Sequence, residues 1–199
     1  MSAKESIKKV LPEIILRQIR GITSGWHGNY SKWEDAQKNS TGYDSVEILN
    51  RVKSSTMKVK KGLAVYERDS FLFDKIQYSF PLLSSLMWIA ALRKGKINVL
   101  DFGGSLGSSY YQNKKFLDTL QELHWCVVEQ PGFVEAGKED FAKDKLHFFK
   151  NIKECIKAFD IDVVLLSSVL QYLEKPYDFL RELFLLKIEH DNRISIFMG

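Results

Sequence analysis

Apolar residues along this chain follow two different rhythms. In residues 1–80 they recur at helical spacing: Ile7, Val10, Leu11, Ile14, Ile15 and Ile19 do so with basic residues between them, and Val46, Leu49 and Val52 repeat the pattern. Loop-like stretches intervene, G-W-H-G-N-Y-S-K-W at 25–33 and T-G-Y-D at 41–44. In Y-E-R-D-S at 66–70, Asp69 or Ser70 is placed to cap a helix starting near Phe71. From residue 81 the rhythm changes. Short apolar runs at 97–102, 125–129, 146–149, 162–167 and 194–198 alternate with helical patterns such as Phe116, Leu117 and Leu120, or Phe179, Leu180, Leu183 and Phe184. This alternation predicts βαβ units: an α/β fold on a mostly parallel sheet of at least five strands, with helices on both faces. It also predicts a mainly helical N-terminal or lid segment over 1–80 and a core over 81–199, within one structural domain.

Composition changes this picture little. A chain of 199 residues, 45% hydrophobic and 27% charged, suits one globular domain with a sizeable core. The net charge of +4 is mild, and its densest basic run, Lys58, Lys60 and Lys61, reads as a solvated face. With no RNA-binding aromatic motif and no zinc-finger spacing, no nucleic-acid partner is expected. Cys126 and Cys155 offer neither a disulfide framework nor metal-ligand spacing, which points to a reducing, cytoplasmic setting. Glu13 and Arg17 interrupt the first apolar stretch and argue against a signal peptide. No run reaches the roughly 18 apolar residues of a membrane span. The basic amphipathic stretch at the start reads as a helix packed on its own domain, with weak contact to a membrane surface as the alternative. Glu139, Asp140 and Asp144 fall on a predicted surface helix and read as solvated, so no metal is expected.

The first strand of the predicted sheet runs into D-F-G-G-S-L-G at 101–107. In open α/β sheets, ligands bind outside the carboxyl ends of the strands, where strand order reverses. A dinucleotide fingerprint, G-x-G-x-x-G, fails here: from Gly103 it meets Ser105 and Ser108, and from Gly104 it meets Leu106 and Ser109. The phosphate loop G-x-x-x-x-G-K-[ST] fails too. The spacing fits acid-x-G-x-G-x-G with serine at the middle glycine: Asp101, Gly103, Ser105 and Gly107, with Gly104 alongside. That is the loop form class I methyltransferases use for S-adenosylmethionine, whose methionine portion needs close backbone approach and whose ammonium group an acid can face. The second strand, W-C-V-V-E-Q, ends in Glu129, 22 residues after Gly107 and placed to accept hydrogen bonds from both ribose hydroxyls; Gln130 follows beside the adenine. The fourth strand runs into S-S-V-L-Q-Y-L, where Ser167 and Ser168 would line the methionine end.

Taken together, G-W-H-G with S-K-W-E-D-A (25–36), G-Y-D (42–44), Y-E-R-D-S (66–70), L-D-F-G-G-S-L-G-S-S-Y-Y, V-V-E-Q and S-S-V-L-Q-Y-L resemble a family of class I S-adenosylmethionine-dependent methyltransferases associated with bacterial surface-polysaccharide gene clusters. The resemblance spans residues 25–173. It implies a Rossmann-like methyltransferase core, S-adenosyl-L-methionine as cofactor and a small-molecule or carbohydrate acceptor. It also implies two more strands after the fifth, so the ending R-I-S-I-F-M-G reads as that of a truncated chain whose tail would pair beside residues 194–198.

Methyl transfer from a sulfonium gains mostly from in-line positioning, and needs a base only where the acceptor must lose a proton. His27, Tyr43, Asp44, Arg68 and Asp69 are pocket candidates of similar weight, and none is assigned as a catalytic base. His124, His147 and His190 are expected away from the loop. Trp26, Tyr30 and Trp33 could stack on a sugar ring, or anchor a lid. A binding module that keeps the fold without turnover is the competing reading, and a nicotinamide-dependent oxidoreductase is disfavoured by the failed fingerprint.

Overall fold

The computed structural model describes residues 28–40, 45–143, 145–189 and 194–198. The patterned residues 7–19, as well as Trp26, His27, Tyr43, Asp44, Asp144 and His190, lie outside the described residues. The chain divides into two compact units, Met1–Thr41 and Gly42–Gly199, so this division comes earlier than the change of sequence rhythm near residue 80. In the first unit, α1 (Trp33–Lys38) is a short helix with no buried residue, and Tyr30 is 44% exposed.

The second unit is a doubly wound α/β structure. Its sheet contains β3 (Lys96–Phe102), β4 (Glu122–Val128), β5 (Leu146–Phe149), β6 (Val163–Leu166) and β7 (Ser195–Met198), all parallel, in the order β5-β4-β3-β6-β7. These are the five strands expected from the apolar runs, with ends shifted by at most three residues and β5 matching at both ends. The first step outward from β3 goes to β4, and the chain later returns to place β6 on the other side, so strand order reverses between β3 and β6. That arrangement is Rossmann-like.

Strands buried on both faces explain why the runs are continuous rather than alternating. Ile97, Val99 and Trp125 face one layer, shared with α2 (Val46–Lys60), α3 (Phe80–Leu92), α4 (Ser108–Leu117) and α5 (Pro131–Asp140) through Val52, Leu86, Ala90, Tyr110, Leu117 and Phe133. Leu100, Cys126 and Val128 face the other, with α6 (Ile152–Ala158) and α7 (Pro176–Glu189) supplying Cys155 and Leu183. Both cysteines are buried free thiols. Lys53 pairs with Asp140 at 2.5 Å, tying α2 to α5, and Lys60 lies over the Phe141 ring. At the amino edge of the sheet, Asp162 accepts from the Asn98 N–H at 2.9 Å and pairs with Arg93 at 2.8 Å, pinning β3 to β6.

One sequence expectation is corrected. Residues after Ser70 do not start a helix. Instead β1 (Tyr66–Arg68) and β2 (Phe71–Phe73) form a hairpin, Arg68 opposite Phe71. Asp69 and Ser70 take φ of +51° and +68°, the two left-handed positions of a two-residue hairpin loop. Asp and Ser suit such a turn as well as a helix cap, and the flanking Tyr, Phe and Phe favour strands. Among the described residues no helix is long and apolar enough to cross a membrane.

Candidate ligand-binding site

The loop at the carboxyl end of β3 turns sharply because its residues allow it. Gly103 takes φ +71°, and a Cβ there would lie 2.7 Å from Val169 Cγ2. That contact places the segment after β6, with Ser167 and Ser168, against the loop; both serines are exposed, and Ser168 itself takes φ +52°. Gly104 is held by proximity instead: a Cβ would sit 2.4 Å from the Asp101 carboxyl group. Ser105, where the motif would carry glycine, adopts φ +57°, a conformation that costs a non-glycine residue about 1 kcal/mol. Gly107 then caps α4 and donates its N–H to the Gly104 carbonyl at 3.0 Å.

Glu129 follows β4 directly and reaches the loop. Its Oε1 accepts from the Ser105 N–H at 3.1 Å and its Oε2 from the Gln130 N–H at 2.8 Å. Burial pushes this carboxyl group up, and the two N–H donors oppose the shift. Two amides leave lone pairs on both oxygens for further donors. Glu129 is half-buried and Gln130 exposed, so both can meet a ligand lying across the strand ends.

Asp101 is placed differently from the sequence expectation. Its side chain is 1% exposed and accepts from Trp125 Nε1 at 3.0 Å, beneath Gly104. Instead of facing solvent, it supports the loop from behind. Desolvation raises it to about 7, against the Trp125 hydrogen bond, and the nearby Glu129 charge adds to the rise. Sequence reasoning did not single out Trp125, because its partner lies 24 residues away on a neighbouring strand.

Glu67 was also missed. The motif Y-E-R-D-S drew attention to Arg68 and Asp69, which are exposed on the hairpin, Arg68 over the Phe73 ring at 5.8 Å. Glu67 is the buried member, 1% exposed, and it accepts from the Ser108 hydroxyl at the start of α4. The pattern BBe along β1 shows that two consecutive residues are enclosed, which an alternating reading does not anticipate. The histidines in described strands are at the far end: His124 lies five residues before Glu129, about 16 Å along the strand, with Nδ1 3.2 Å from His147 Nε2.

No protein-family model matches the chain, and no curated protein matches it. Among solved structures, the chain is similar to the SAH-bound Podospora anserina methyltransferase PaMTH1, at 14% identity and a TM-score of 0.42, over 88% of this chain and 73% of that one. It is also similar to a chain in the complex between the Haloferax volcanii Trm112 methyltransferase activator and a candidate methyltransferase, at 18% identity and a TM-score of 0.33, over 54% of this chain and 55% of that one. The Rossmann-like assignment rests on the strand order of the chain itself.

Proposed function

We propose that this protein is an S-adenosyl-L-methionine-dependent methyltransferase of a cytoplasmic setting, acting on a small-molecule or carbohydrate acceptor. The observation that carries the reading is the joint between loop and acid: the glycine loop after β3 and Glu129 after β4 are hydrogen-bonded to each other at the carboxyl ends of neighbouring strands, beside the β3–β6 crevice where strand order reverses. The residues fit the cofactor's chemistry. Remaining lone pairs of Glu129 suit two ribose hydroxyls, Gln130 would lie beside the adenine, and residues 103–107 would give the methionine portion close backbone approach. Ser167 and Ser168 supply hydroxyls on the opposite lip. When bound, the cofactor supplies a methyl group on a sulfonium. The protein's part is to orient the acceptor in line with that group and exclude water. The acceptor class, and a role in surface-polysaccharide assembly, rest on the sequence resemblance.

Calorimetric titration with S-adenosylmethionine and S-adenosylhomocysteine tests this. Both should bind, and Glu129→Ala should weaken them by roughly tenfold to a hundredfold, as expected for losing hydrogen bonds to a charged acceptor. Folded protein that binds neither overturns the proposal.

A further inference from the structure

The polar groups buried beneath the hairpin form one connected chain. Ser55 of α2 donates its hydroxyl to the Ser70 carbonyl at 2.7 Å, in the hairpin turn. The Ser70 N–H donates to Glu67 Oε2 at 3.3 Å, and the Ser108 hydroxyl donates to Glu67 Oε1. Ser108 is the first residue of α4 and directly follows Gly107. One carboxylate thus joins α2 and the hairpin to the residue at which the glycine loop becomes a helix. A buried acid is costly unless its acceptors are used, and a fully enclosed Glu in a three-residue strand is an expensive way to hold a hairpin that Tyr66 and Phe73 already pack at 5.7 Å. Its second partner is the first residue of α4, next to the loop.

We propose that Glu67 is a positioning residue for the ligand site, holding the start of α4 through Ser108 so that the loop 103–107 keeps its shape before any ligand arrives. The inference rests on the proposed cofactor site for its purpose, but its physical content does not need the cofactor. Three hydrogen-bonded amides report on that shape, two in the loop and one in the first turn of α4: Ser105 to Glu129, Gly107 to the Gly104 carbonyl, and Tyr111 to the Gly107 carbonyl.

The test compares Glu67→Gln, Ser108→Ala and, as a stability control, Val52→Ala, which trims a core contact of α2. Gln keeps the shape of Glu67 but turns an NH₂ group toward one of its two donors. Hydrogen exchange of the ligand-free proteins should quicken about tenfold at the amides of Ser105, Gly107 and Tyr111 in Glu67→Gln and Ser108→Ala, the loss expected for one hydrogen bond. Val52→Ala should lower the melting temperature and leave those three amides unchanged. S-adenosylhomocysteine affinity should fall in the first two variants in step with exchange. Unchanged exchange at the three amides, whatever the melting temperature does, overturns the proposal. So does faster exchange with unchanged affinity. Should wild-type protein not bind S-adenosylhomocysteine at all, the functional reading fails, while the exchange data still decide whether Glu67 holds the loop.

Discussion

Asp101 puts a carboxyl group where its neighbours Val99 and Leu100 put hydrocarbon, and the sheet encloses it as completely as it does them. With burial raising it to about 7 from an ordinary 3.8, the folded chain keeps a proton that the unfolded chain releases first. The sign follows: Asp101 costs no stability below about pH 4, and the cost grows as pH rises, reaching its full size above about pH 7. Asp101→Asn stays neutral and can still accept from Trp125. The variant should therefore gain on wild type with rising pH, by up to about 1.4 kcal/mol per pH unit between these limits. Urea denaturation at pH 4.5 and pH 8 measures this, and a gap that does not change with pH would refute it.

The same local chemistry can serve two elements, and the hairpin shows how. Asp69 and Ser70 are as suitable at the start of a helix as in a two-residue turn, and what decides is the pairing of Tyr66 with Phe73 across the turn, a contact between residues on either side of it. The glycine loop was more legible, because its requirements are written in contiguous residues: Gly103 for the turn, Gly104 for the approach of Asp101, Gly107 for the cap. Gly104 allows a sharp prediction. The atoms a Cβ would meet at 2.4 Å belong to a side chain pinned by Trp125, so they cannot swing aside freely. Gly104→Ala should cost about 1–3 kcal/mol by overpacking. Thermal melting of the variant checks the cost, and a melting temperature equal to that of wild type would show that Asp101 has room to move.

At the scale of the molecule, the apolar runs disclosed which segments become strands of the parallel sheet but not their order, which depends on crossovers joining residues far apart in the chain. Glu129 was legible as an acid ending a strand. The inward turn of Asp101 was not, since a strand buried on both faces has no outward side for sequence alternation to reveal. Glu67 and Trp125 were hidden for a related reason: each acts through a partner on another element. The Trp125 contact has an optical consequence. Its indole is 0% exposed, whereas that of Trp88 on α3 is 67% exposed, so iodide in solution should quench emission from Trp88 and spare Trp125. The shielded ring is one hydrogen bond from a carboxyl group that titrates near neutrality. In protein carrying Trp26→Phe, Trp33→Phe and Trp88→Phe, which leaves Trp125 as the one tryptophan, the emission should change intensity between about pH 6 and 8 and lose that response when Asp101→Asn is added. A fluorimeter trained on the unlabelled protein would then read the charge beneath the glycine loop directly, and a flat signal across that interval would show that the carboxyl group does not titrate there.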